Sequence, residues 1–225
     1  MAEALTQDWA ARDLNANQRP PCGSLGVYNA FSRANPACPI GYIVMEYIDA
    51  PDCDEGDDQL VARAVQTLIC IQGPSSAPGP VGGGRVIHNF STEWTSAITY
   101  YTVKKLQEHM NGLFKYMGDT RRVDVEADAP DGLRLCPCDI TPGNFKKYRD
   151  GTVVALDFHA TCFLPPSFFA VAMEKVMGIF AWKVSNLVSY PKSNDVAAMV
   201  AASYVLVPYG KNDIGQLDRF SFYLD

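Results

Sequence analysis

Three side chains in the middle of this chain have the types and spacing to do chemistry together. Asp139 and Asn144 lie five residues apart in Cys136-Pro137-Cys138-Asp139-Ile140-Thr141-Pro142-Gly143-Asn144, and Asp157 follows thirteen residues later in Ala155-Leu156-Asp157-Phe158-His159. Between them, Arg149-Asp150-Gly151 separates two β-prone runs, and Asp-Gly is a strong hairpin turn. A hairpin brings its ends together, so Asn144 and Asp157 can face one point in space. A carboxylate and an amide oxygen form a hard-oxygen pair suited to magnesium. Asp139, just ahead on the same loop, can take the proton of an attacking hydroxyl.

Other groups that invite chemistry have plainer readings. Cys136 and Cys138 are spaced C-x-C, not the C-x-x-C of zinc or thioredoxin sites, and strand alternation sends both to one face as buried thiols. Gly82-Gly83-Gly84-Arg85 lacks the Gly-Lys-Ser/Thr ending of a phosphate loop and reads as a surface loop. His88 and His109 show no sequence partners for catalysis. His159 reads as structural, and Tyr100, Tyr101 and Phe114 read as helix core.

The elements that must position the three residues follow from periodicity and breakers. Residues 1–23 read as an irregular leader with one short helix around Leu5 to Ala11. Ser24 to Ser32 and Tyr42 to Ile48 have strand character, with Asn35-Pro36 and Cys38-Pro39 suited to a loop between them. An acidic loop, Asp49 to Asp58, leads into a helix carrying Leu60, Val61, Ala64, Val65, Leu68 and Ile69. Residues 73–84 are loop. A long helix is expected over 94–117, a strand near Leu133 to Cys136, the hairpin at 145–158, and helices over 167–188 and 194–205. This order predicts an α+β fold.

Composition bounds the function classes. The chain has 225 residues, 48% hydrophobic and 20% charged, enough for an apolar core. Lys plus Arg is 19 against 25 Asp plus Glu, a net charge of −6, which argues against nucleic acid or an anionic membrane as partner. Seven cysteines suggest free thiols in a reducing compartment. The acidic start has no apolar run, and Glu174, Lys175 and Lys183 interrupt the most apolar stretch, so neither a secretory peptide nor a membrane span is expected. The cytoplasm is the expected location.

At Asp139, Asn144 and Asp157 the sequence resembles the catalytic loop and metal-binding Asp of the protein-kinase-like fold, in its aminoglycoside and choline phosphotransferase branch. Tyr42-Ile43-Val44-Met45-Glu46-Tyr47-Ile48 resembles the hinge strand between the two lobes. Phe163-Leu164-Pro165-Pro166-Ser167-Phe168 is similar to a run in fungal aminoglycoside-phosphotransferase-domain members. The resemblance implies residues 24–50 as a remnant small lobe and hinge, and residues 51–225 as a helical large lobe. It implies Asp139 as catalytic base, Asn144 and Asp157 as magnesium ligands, and the backbone of Glu46 and Ile48, beside Met45, as the adenine contact of ATP. The acceptor would be a small-molecule hydroxyl, its specificity set by residues 60–117 and 167–205. The acidic loop would suit a cationic acceptor, although surface acidity is the simpler account.

Two departures stand out. The family's histidine and glycine fall at Pro137 and Cys138. Only 42 residues precede Ile43, with no lysine before Lys104 and no Gly-rich phosphate lid; Gly23-Ser24-Leu25-Gly26 is a poor substitute. Lid and lysine both act on the transferring phosphoryl. The sequence therefore leaves open an active phosphotransferase, a non-catalytic kinase-like scaffold binding a small molecule or protein, and a truncated gene product.

Overall fold

A computed structural model describes residues 1–16, 22–24, 26–33, 40–176, 178–209 and 213–215. The elements run α1 (Ala2–Ala16), β1 (Cys22–Ser24), β2 (Val27–Arg33), β3 (Ile40–Met45), α2 (Asp58–Leu68), α3 (Val103–Tyr116), β4 (Arg134–Pro137), β5 (Phe145–Lys147), β6 (Val153–Ala155), β7 (Thr161–Leu164), α4 (Pro166–Glu174), α5 (Ile179–Leu187) and α6 (Val196–Leu206). The class is α+β. Three small sheets are arranged β1-β6-β5, β2-β3 and β4-β7.

The main core is built where β4 and β7 meet the helices. Leu135 and Cys136 stand opposite Phe163 and Cys162 in an antiparallel ladder, and all four side chains are buried. Phe168, Val171, Met199, Leu113 and Val65 close over them from four helices. The thiols are part of this apolar filling. Burial pushes Cys22, Cys138 and Cys162 each up to about 12, and Cys136 well above its ordinary value, so they stay protonated and behave as small hydrophobes.

The β5–β6 hairpin sorts its side chains by face, as strand alternation requires. Phe145, Val153 and Ala155 enter the main core, whereas Val154 joins a second, small cluster with Ile48, packed by Met45, Ala50 and Leu156. Lys146 stands directly opposite Val154 and shares that second face. Gly151 takes φ +84 at the turn, a conformation that costs glycine little. Outside the hairpin, residues 51–53 add an edge to β5: Cys53 N donates to Phe145 O and Lys147 N to Pro51 O.

Several expectations are corrected. The first sixteen residues are not irregular: α1 spans Ala2–Ala16 and buries Ala4, Ala10, Ala11 and Leu14. Thr6 Oγ1 accepts from Val81 N, and Trp9 Nε1 donates to Gln72 O, which docks the helix on the loop from 72 to 84. The helix expected from 94 starts at Val103. Glu93 and Trp94 hold φ of +52 and +63, and Ser96 Oγ accepts from Val86 N and donates to Ile98 O, tying this stretch to a neighbouring loop. Thr102 then caps α3 by accepting from Lys105 N. The helix expected over 167–188 is two helices, α4 and α5, with Gly178 at φ +112 before the second. Strand β7 was not expected. The loop placed at Asn35-Pro36 and Cys38-Pro39 lies outside the described residues. Among the described residues no helix is long and apolar enough to cross a membrane.

The two buried histidines are structural. His88 Nδ1 accepts from Phe90 N and its Nε2–H donates to Phe168 O. His109 Nδ1 accepts from the Tyr100 hydroxyl and its Nε2–H donates to Ile214 O. Both rings are held neutral, and burial pushes His88 down to about 3. The unfolded chain therefore gains a proton on this ring near pH 6.5 that the folded chain refuses until about pH 3. Stability is fully present above the unfolded value and is lost as pH falls through this window. His88 accounts for a loss of about 2 kcal/mol between pH 7 and pH 5. Urea unfolding at those two pH values should show that difference shrink by this amount in His88→Gln; an unchanged difference would show that the ring does not titrate on unfolding.

Candidate functional site

The loop between β4 and β5 is pinned at both ends by buried side chains. Cys138, Ile140 and Phe145 lie in the core, and Cys138 N donates to Ala160 O. Between these anchors the chain turns through Pro142–Asn144, where Asn144 N donates to Thr141 O. Asp139 and Asn144 are left half-buried on the outer side.

Within the loop, Asn144 Nδ2 donates to the backbone carbonyl of Asp139 at 3.0 Å. A carbonyl can only accept, so the amide nitrogen must face it. The Asn144 amide oxygen is thereby turned away from the loop. The Asn144 backbone carbonyl accepts from Leu156 N at 2.8 Å, which sets Asp157 one residue beyond Asn144's cross-strand neighbour. Asp157 is exposed and holds φ +52, a left-handed conformation that costs a non-glycine residue about 1 kcal/mol or more. Its Oδ1 accepts from His159 N at 3.2 Å, which supports the turn and leaves Oδ2 available.

Asp157 lines a cleft of about 660 Å³ together with Glu3, Met45, Glu46, Tyr47, Ile48, Asp49, Ala50, Lys146, Leu156 and His159. The hinge candidates Met45, Glu46 and Ile48 thus share one cavity with Asp157. Asp139 and Asn144 adjoin it through the loop and do not line it. Met45 is fixed from behind, its sulfur accepting from Gln7 Nε2 at 3.8 Å, and Glu46 N donates to Gly26 O. Met45, Ile48, Ala50 and Leu156, all of the second apolar cluster, give this cavity an apolar lining.

The sequence did not point to three of the cleft's polar groups. Glu3 reaches it from the first turn of α1, a segment expected to be leader. Its carboxylate lies 3.9 Å from His159 Nδ1, and burial, then the Asp157 charge, raises its pKa. His159, expected to be structural, is exposed at the cleft's edge. Lys146 is half-buried, its ammonium donating to Ala50 O at 3.0 Å and to Asp52 Oδ1 at 2.8 Å. A β-strand alternation argument could have found Lys146, since it stands two residues after Asn144; nothing in the sequence marks Glu3.

The acidic loop is partly neutralised within the molecule. Lys146 pairs with Asp52, and Lys147 with Asp54 and Asp57. Among the described residues no group of three or more His, Cys, Asp or Glu side chains is arranged to hold a metal ion. An amide oxygen from Asn144 and a carboxylate from Asp157 would be two hard oxygens, the number and kind that magnesium takes from protein before completing its shell with water and phosphate.

No protein-family model matches this sequence, and no curated protein matches it. Solved structures align with this chain, two of them as follows. A protein assigned as a fructosamine-3-kinase from Haemophilus somnus 129PT aligns with 92% of this chain and 70% of its own, at 10% identity and a TM-score of 0.47. A choline kinase from Streptococcus pneumoniae aligns over 98% and 79%, at 15% identity and a TM-score of 0.39. Coverage is broad in both, and coordinate agreement is low.

Two outcomes follow from the geometry. Asn144→Asp sets a carboxylate against the Asp139 carbonyl, two acceptors in contact, and should cost about 1–3 kcal/mol in urea unfolding; a neutral result would show that the amide bond does not hold the loop. Asp157→Asn keeps an acceptor for His159 N, tolerates the left-handed backbone and removes the charge that raises Glu3. The Glu3 pKa, followed by carbon NMR of the side-chain carboxyl, should fall in this variant, whereas an unchanged value would separate the two carboxylates.

Proposed function

We propose that this chain is a kinase-like phosphotransferase of the aminoglycoside-phosphotransferase type, binding a nucleoside triphosphate in the hinge cleft and transferring a phosphoryl group to a small-molecule hydroxyl. The observation that carries the reading is the Asn144-to-Asp139 hydrogen bond. One bond leaves the Asn144 amide oxygen free of the loop carbonyl and ties the amide to the backbone of the residue suited to act as base.

The roles follow from position. The apolar lining of Met45, Ile48, Ala50 and Leu156, beside the backbone at Glu46 to Ile48, accepts a flat heteroaromatic ring, ATP's adenine by the resemblance. Asn144, from the adjoining loop, and Asp157, from the cleft's lining, would hold the divalent cation. Magnesium bound there supplies positive charge that offsets the charge on the phosphates. Asp139 accepts the proton of the acceptor hydroxyl, a contribution of about 10²–10⁴ in rate.

A second reading has its own support. The cleft's lining holds one lysine, Lys146, and it is tied to Ala50 and Asp52. The carboxylates of Glu3, Glu46, Asp49 and Asp157 surround the same space. A cleft so composed suits a non-catalytic scaffold that binds a nucleotide only with its cation.

Isothermal titration with ATP at millimolar magnesium tests both readings together and does not separate them. Both predict magnesium-dependent binding that weakens at least about tenfold in Asp157→Ala. Turnover that disappears in Asp139→Asn, with nucleotide binding kept, identifies the phosphotransferase; binding without turnover identifies the scaffold. No binding with or without magnesium contradicts both.

A further inference from the structure

A second cavity, of about 410 Å³, lies beside the start of β4, the end of the strand away from Asp139, and shares no lining residue with the cleft. Small-molecule sites span roughly 300–1,000 Å³. Ile69, Leu164, Phe169 and Tyr190 give it an apolar wall, the two rings packed edge to face with centroids 5.2 Å apart. This wall is pre-formed. Gln66 Nε2 donates to Ser189 O and Gln66 Oε1 accepts from Ser189 N, which fixes the segment carrying Tyr190. Gln72 Nε2 donates to Asp131 O and Gly132 N to Ala129 O, which fix the turn on the polar side.

The polar lining carries both signs of charge without pairing them. Arg134 is half-buried and donates from Nη1 to Cys70 O, of a residue that also lines the cavity, at 3.0 Å. A guanidinium has five N–H donors, and among the described residues this is its one hydrogen bond, with no ion pair. Asp128 and Asp131 line the same cavity. Neither is ion-paired among the described residues, and Asp128 Oδ2 is buried without a hydrogen-bond partner. We propose that this cavity binds a free apolar α-amino acid. Such a molecule carries a carboxylate, an ammonium and an apolar body on one carbon. The Arg134 fork matches a carboxylate with two parallel N–H···O bonds, the ammonium offsets the charges of Asp128 and Asp131, and the side chain takes the apolar wall. A plain anion would meet two uncompensated carboxylates, and a plain cation would leave the guanidinium unpaired; a zwitterion satisfies both. This site is independent of the nucleotide reading of the cleft.

Isothermal titration of the full chain with L-phenylalanine, 3-phenylpropionate and 2-phenylethylamine tests this, because the three share a ring and differ in charge. Phenylalanine should bind at least about tenfold tighter than either of the others. In Arg134→Met, which keeps an apolar stem, phenylalanine should weaken by at least about tenfold, with 2-phenylethylamine within about twofold of its affinity for the native chain. No binding of phenylalanine to the native chain, or binding of either singly charged analogue as tightly as phenylalanine, overturns the proposal whatever the variant does. Phenylalanine bound as tightly by Arg134→Met as by the native chain overturns the assignment to this cavity.

Discussion

A single hydrogen bond organises the centre of this molecule. The Asn144 side-chain amide donates to the Asp139 carbonyl, closing a six-residue turn on itself. A backbone carbonyl offers no choice of partner, so the bond dictates which end of the amide faces out. Without it, the oxygen and the nitrogen of Asn144 would exchange freely, and a cation would meet a donor as often as an acceptor. With it, the Asn144 oxygen is turned away from the Asp139 carbonyl; Asp157, across the hairpin, has a left-handed backbone and accepts from His159 N.

The loop can stay in this shape because the core grips it from both sides. Cys138 and Ile140 enter the apolar interior before the turn and Phe145 after it. The same interior needs no chemistry of its own. Its thiols are protonated by burial, and His88 and His109 each use both ring nitrogens in fixed hydrogen bonds. Val154 and Leu156 instead pack with Met45, Ile48 and Ala50 on the other face of the β5–β6 hairpin, which Lys146 shares. A period of two along six strand residues accomplishes this division.

What was legible in the sequence was local. The Asp-Gly turn predicted the β5–β6 hairpin, and the breaker-rich stretch predicted the loop from 73 to 84. Helix α2 was visible from its apolar spacing and its acidic start. What was hidden depended on tertiary partners. The sequence of α1 is mixed in polarity, and its helix is stabilised by docking on Val81, Gln72 and Met45, so the approach of Glu3 to the cleft could not be read. Trp94 to Thr102 has helical spacing, but Ser96 bonds to Val86 and Ile98 instead and draws the backbone off. Thr161 to Leu164 carries no strand signal of its own beyond four residues, and pairs because β4 offers an edge. At the site, type and spacing singled out Asp139, Asn144 and Asp157, and the structure bonds the first two to one another. The bond between two of them, and the lysine in the cleft's lining, required the register of the hairpin.

The central claim is that the Asn144 amide oxygen and the Asp157 carboxylate present themselves to one divalent cation. Paramagnetic Mn²⁺, titrated at substoichiometric amounts into the ¹⁵N-labelled chain with a non-hydrolysable nucleotide, tests it most directly. The account predicts that the Asn144 side-chain amide signals and the backbone amides of Asp157 and His159 broaden first and together. Broadening confined to the acidic segment from Asp49 to Asp58, with Asn144 and Asp157 unaffected, would contradict it.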